Sequence, residues 1–134
     1  MRRFFDTNVL VYAFLDSEKR ERALEVLAQG GVVSAQVLNE FTHVAHRKRR
    51  RPWPEIEAAL GTLREWFGDI VPLTSVTHAA AVALARDHGF AFYDALIVAA
   101  ALEGGCDTLF SEDMQHGRDI GGLTIVNPFA NPSR

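Results

Sequence analysis

A chain of 134 residues with 48% hydrophobic residues, 23% charged residues and a net charge of -3 carries enough apolar side chains for a core of its own, which excludes intrinsic disorder. Cys106 is the single cysteine, so neither an internal disulfide nor a cysteine-based zinc cluster can form, which suits a reducing cytoplasm. The apolar start is broken by Asp6 and Asn8 before a signal-peptide core develops. The longest apolar stretch, Phe90 to Leu102, contains Asp94 and falls short of the roughly 18 residues a membrane span needs. The expectation is a cytoplasmic protein without membrane contact.

Arg3-Phe4-Phe5 reads as a short buried strand, ended by the turn Asp6-Thr7-Asn8, which also caps a helix from about Asn8 to Leu15. A second helix covers Lys19 to Ala28 and stops at Gly30-Gly31. Val32-Val33 is the next strand. Ser34 then caps a helix with Val37, Leu38, Phe41, Val44 and Ala45 at 3.6-residue spacing, ending in Arg47-Lys48-Arg49-Arg50-Arg51 before Pro52. Pro54 sits in the first turn of a helix with Ile56, Leu60, Leu63 and Phe67 on one face. Ile70-Val71 is a third strand, followed by helices at Ser75 to His88 and Tyr93 to Glu103. Thr108-Leu109-Phe110 is a fourth strand, a polar loop runs through Gly122, and Thr124-Ile125-Val126 is a fifth. Strands separated by helices give an α/β fold with a mainly parallel sheet of about five strands covered on both faces.

Four carboxylates stand out against this pattern: Asp6 at the end of the first strand, Glu40 at the edge of an apolar helical stripe, Asp94 at the start of an apolar helix, and Asp113 in the loop after the fourth strand. In open α/β sheets ligands bind in the crevice at the carboxyl ends of the strands. Helix capping explains Asp6 or Asp94 singly, and solvent exposure explains Glu40, but neither explains four acids converging. If they converge, their repulsion raises their pKa values unless a cation is bound, and an all-oxygen site suits Mg²⁺ or Mn²⁺. Such an ion activates water and neutralises charge on a phosphate, which makes phosphodiester hydrolysis the reaction class. Asn8, Thr7 and Ser111 are candidate supports of these carboxylates, with ordinary turn chemistry as the competing role.

Phe5-Asp6-Thr7-Asn8-Val9-Leu10, Asn39-Glu40-Phe41, Tyr93-Asp94-Ala95-Leu96-Ile97-Val98-Ala99-Ala100-Ala101 and Ser111-Glu112-Asp113-Met114-Gln115-His116-Gly117 resemble, in order and spacing, the signature segments of PIN-domain nucleases, most closely VapC-type toxins of toxin–antitoxin pairs. The resemblance covers nearly the whole chain, down to Asn127-Pro128-Phe129, so residues 1–134 are read as one PIN-like domain with a three-layer α/β/α architecture. It implies a homodimeric endoribonuclease that depends on Mg²⁺, with Mn²⁺ able to substitute, and that is silenced by a cognate antitoxin. Carried over by position, Asp6, Glu40, Asp94 and Asp113 are the catalytic acids. Asp6 and Asp94 are the firmest metal ligands, with Asp113 beside them; Glu112 is the neighbour that the family pattern passes over.

Five of the fourteen basic residues form the run Arg47, Lys48, Arg49, Arg50 and Arg51, a candidate RNA contact that also reads as a solvated helix end. His43 and His46 follow Glu40 at steps of three, which is weak as a metal signature and better suited to RNA contact or plain exposure, as is His116. Trp53, beside the basic run, is the aromatic best placed for base stacking or an interface; Tyr93 is a further candidate, whereas Phe92 and Trp66 are expected in the core. Two other classes compete. One is a binding module that holds the ion structurally without catalysis. The other is a phosphoryl-receiving domain, disfavoured because neither lysine, Lys19 or Lys48, follows a late strand.

Overall fold

Strand β1 (Arg3–Phe5) lies in the middle of the sheet, with Phe4 and Phe5 fully buried. The computed structural model describes residues 1–15 and 17–130. On one side β1 pairs in parallel with β4 (Thr108–Phe110), Phe5 opposite Phe110, and β4 pairs in parallel with β6 (Leu123–Val126). On the other side the Phe5 N–H donates to the Val32 carbonyl (3.1 Å) and the Val32 N–H to the Arg3 carbonyl (2.8 Å), which joins β1 to the chain entering β2 (Val33–Ser34). Strand β2 pairs in parallel with β3 (Ile70–Val71). The approach is close. A Cβ on Gly31 would stand 2.6 Å from both the Arg3 carbonyl and the Phe5 ring, so only glycine fits there.

The five expected strands thus run parallel in the order β3-β2-β1-β4-β6. The polar loop expected after β4 holds a sixth, β5 (Asp119–Ile120), antiparallel to β6. Gly121 (φ 56°) and Gly122 (φ 88°) form the two-residue connection, whose left-handed backbone matches the twist of a tight hairpin.

Helices α1 (Thr7–Phe14) and α2 (Arg20–Leu27) connect β1 to β2, and α3 (Ala35–His43) and α4 (Trp53–Trp66) connect β2 to β3. Helices α5 (Ser75–His88) and α6 (Phe92–Glu103) connect β3 to β4. The first two crossovers step one way along the sheet and the third steps back. With right-handed crossovers this puts α1–α4 on one face and α5 and α6 on the other. The reversal falls between β1 and β4, where a crevice opens at the carboxyl ends of the strands.

The main core joins Phe4, Phe5, Phe41, Ile97, Leu109 and Ile125, and a smaller cluster of Ala81, Ala95, Leu96 and Ala99 seals α5 against α6. Helix α6 is buried without interruption from Ala95 to Ala101, the pattern of a helix enclosed all round. Two aromatics expected in the core are not there: Trp66 is 49% exposed and Phe92 36%. Each lies at a helix end, where apolar sequence neighbours do not fix which face points inward. After α3 the chain continues as a π-helical turn, Val44–Lys48, with the Arg49 N–H donating to the Val44 carbonyl (3.0 Å), and it leaves helical geometry at Arg50 (φ 51°). Among the described residues no helix is long and apolar enough to cross a membrane.

Candidate active site

Asp6 follows β1 as the N-cap of α1, and its carboxylate is held from two directions. The Thr7 N–H donates to Oδ1 (2.7 Å) and the Ser111 hydroxyl, at the end of β4, donates to Oδ2 (2.7 Å). Asp6 is 5% exposed, and burial pushes its pKa up to about 7. The two hydrogen bonds oppose that rise, while the charges of Glu40 and Asp94 add to it. One carboxylate therefore both caps α1 and lies within electrostatic reach of Glu40 and Asp94.

Glu40 lies on α3, which is fixed in rotation by the Ser34 hydroxyl accepting from the Val37 N–H (3.2 Å). The Thr7 hydroxyl donates to Glu40 Oε2 (2.7 Å). Asn8 serves the fourth acid: its Nδ2 donates to Asp113 Oδ2 (3.1 Å), and its Oδ1 accepts from the Glu112 N–H (3.3 Å). Thr7, Asn8 and Ser111 thus each hold a carboxylate rather than only shaping a turn. Asp94 stands in the first turn of α6 but is not its cap, since the helix starts at Phe92 with Ala91 in the cap position. Its pKa is raised by burial first, then by the charges of Asp113 and Glu40.

All four expected acids line one open cleft of about 760 Å³. Among the described residues no group of three or more histidine, cysteine, aspartate or glutamate side chains is placed to hold a metal ion as it stands. Asp6, Glu40 and Asp113 each direct at least one oxygen at a protein donor. The donor set nevertheless fits a hard divalent cation: every acid offers oxygen, and Asp6 and Asp94 are raised in part by negative neighbours, a repulsion that bound positive charge would relieve.

Glu112 faces elsewhere. It accepts from the Tyr12 hydroxyl and the Lys19 ammonium, whose amine lies 4.9 Å from the centre of the Tyr12 ring. Burial raises its pKa, and the Lys19 and Tyr12 contacts outweigh this and leave it below the ordinary value. Of the basic run, Lys48 and Arg49 line the cleft and the Arg49 guanidinium also donates to the Leu15 carbonyl. Arg51 pairs with Glu55 (2.8 Å), and Arg47 and Arg50 are exposed away from the cleft lining. His43 lines the cleft, His46 stacks on Trp53 with ring centres 4.2 Å apart, and His116 Nδ1 accepts from the Asn127 N–H (2.9 Å). Gln36 and Asn39, which the sequence reading passed over, also line the cleft. Gln36, four residues before Glu40, shares its helical face, but a neutral amide there carries no signal of its own until the cleft is known.

A parallel α/β sheet with four carboxylates at its switch point defines the class: an acid-cleft domain suited to a hard cation. The PIN domain family matches residues 3–118, and the chain belongs to it. Among solved structures, a toxin–antitoxin complex from Klebsiella pneumoniae aligns with a TM-score of 0.73 at 22% identity, covering 95% of this chain and 98% of that one. VapBC2 from Rickettsia felis, bound to a DNA fragment from its promoter, aligns with a TM-score of 0.66 at 21% identity, covering 93% and 97%. Mycobacterium tuberculosis VapC20, described as a sarcin-ricin loop cleaving toxin, aligns with a TM-score of 0.67 at 20% identity, covering 83% and 91%. No curated protein matches the sequence.

Proposed function

We propose that the chain is a metal-dependent endoribonuclease acting as a toxin in the cytoplasm, dimeric with a second copy of itself and held in check by a cognate antitoxin. The observation that carries this reading is the convergence of Asp6, Glu40, Asp94 and Asp113 on one cleft of a PIN domain. The description of similar folds as toxin–antitoxin complexes and as an RNA-cleaving toxin supports the biological role. Asp6, Asp94 and Asp113 would hold Mg²⁺ or Mn²⁺, with Glu40 completing the acidic set. Bound there, the ion would lower the pKa of an attacking water and offset charge building on the scissile phosphate.

The remaining work falls to the chain itself. Ser111 and the Thr7 N–H hold Asp6 in one orientation, the Thr7 hydroxyl fixes Glu40, and Asn8 ties Asp113 to the end of α1. Lys48 and Arg49 place positive charge on the wall of a cleft that would otherwise repel a phosphate backbone.

Purified protein freed of any partner, incubated with transfer and ribosomal RNA in Mg²⁺, in Mn²⁺ and in chelator, tests the reading beside Asp94→Asn. Discrete fragments that require metal and vanish in the variant are expected. A folded protein that cuts nothing, yet melts higher when metal is added, would instead be a non-catalytic binding module.

A further inference from the structure

Gln36 is 8% exposed and lies among the residues lining the acidic cleft, and its side chain makes no hydrogen bond to any described residue. A buried amide without a partner is costly unless its polar atoms reach solvent or a ligand. Among the described residues no sealed side-chain nitrogen or oxygen lacks a partner, so the Gln36 amide opens onto the cleft. The residue is held there firmly. It sits in the first turn of α3, between the Ser34 cap and the fully buried Val37, one helical turn before Glu40.

Tyr93 lines the same cleft, next to Asp94. Tyr93 is 64% exposed, and its one aromatic neighbour among the described residues is Phe92, set edge-on at 5.8 Å. The cleft therefore holds, beside its four acids, a neutral group with a paired donor and acceptor and an aromatic face open to stacking. Acids and cations suit phosphates and metals; an amide and an open ring suit a base.

We propose that Gln36 reads the edge of a nucleobase flanking the scissile bond while Tyr93 stacks on a base, so that Gln36 sets a base preference of the enzyme. This rests on the ribonuclease reading of the cleft. A glutamine amide meets a base through two hydrogen bonds, and its removal leaves that base's polar edge unmatched. Replacement by an apolar side chain of similar length keeps the packing and removes only the reading.

The test compares wild type with Gln36→Leu and Gln36→Ala on a set of short single-stranded RNAs with each base in turn on either side of the cut, in Mg²⁺. The melting temperature of each variant is recorded alongside. The expected result is a preferred base in the wild type, a drop in kcat/KM of about tenfold or more for that base in both variants, and little change for the other bases, so that the profile flattens. Tyr93→Ala is expected to raise KM for all bases alike. Wild type that cuts while the variants keep its base profile overturns this inference and leaves the nuclease reading standing. Wild type that cuts transfer or ribosomal RNA but none of these oligonucleotides overturns this inference alone, and wild type that cuts no RNA of either kind overturns both.

Discussion

Asp6 carries two demands that oppose each other: as a cap and support of the cleft it is buried, and in the proposed role of metal ligand it would have to be charged. Its pKa of about 7 in the fold, against an ordinary value of 3.8, means that the folded chain retains a proton between those pH values that the unfolded chain has lost. Stability without metal therefore falls as pH rises from about 4 to about 7, and the loss is complete above that. At roughly 1.4 kcal/mol per unit, the penalty is at most about 4 kcal/mol. In chelator, Asp6→Asn is expected to melt higher than wild type at pH 8 and no higher near pH 4, because asparagine still accepts from the Thr7 N–H and carries no charge. Calorimetry at the two pH values decides it, and an equal difference at both would remove Asp6 as the source. Asp6 and Asp94 were legible in sequence because each interrupts apolar surroundings at a strand or helix boundary, whereas Glu40, inside a helix, and Asp113, in a polar loop, stood out through their place in the order of signature segments. Gln36 was not legible, since a neutral amide before an apolar run reads as an ordinary helix surface until the cleft around it is known.

At the scale of elements, the loop after β4 is tied to α1 and to the start of α2 by Glu112, which takes the Tyr12 hydroxyl and the Lys19 ammonium. The next residue is Asp113, so this clasp anchors the loop that delivers an acid to the cleft. Lys19 remains 44% exposed in its side chain, which screens the pair. Glu112→Ala is expected to cost about 1 kcal/mol of stability, less in high salt, read as a shift in melting temperature at two ionic strengths. No shift at low salt would show that the clasp does not hold the loop. The five principal strands and their mainly parallel pairing followed from the alternation of apolar runs and helical periods, whereas their order in the sheet did not. Strand β5 escaped because Asp119–Ile120 lacks the adjacent pair of β-branched apolar residues that marked the equally short β3; its one sequence signal was the Gly121-Gly122 pair, a tight-hairpin dipeptide. Trp66 and Phe92 were misplaced for a related reason: at a helix end, the face a side chain takes depends on the neighbouring element and not on its own run.

For the whole molecule, the net charge of -3 and the acidic cleft oppose the approach of a polyanion, so the proposed binding of RNA would lean on the few cations that reach the cleft. Lys48 is the one to remove. In the uncut complex of Asp94→Asn with single-stranded RNA, adding Lys48→Gln is expected to weaken affinity at low salt and to reduce the slope of log affinity against log salt by about one contact. An unchanged slope would take Lys48 off the path of the backbone. The sequence showed a basic run of five but not which members face the cleft, because that depends on how the helix beneath them is wound.

That winding is unusual. Between Val44 and Lys48 the chain fits five residues where an α-helix would use four, and the hydrogen bond from Arg49 back to Val44 records the extra one. Each residue advances an α-helix by about 100°, so one surplus residue resets the azimuth of everything that follows by about that angle. Had α3 continued without it, Lys48 and Arg49 would point in a different direction from the cleft they now line. The direction of the positive charge is thus set by residue number along the backbone more than by residue type. Exchange of one cation for another preserves it, while loss of a single residue from this turn dephases the arm and leaves its charge intact.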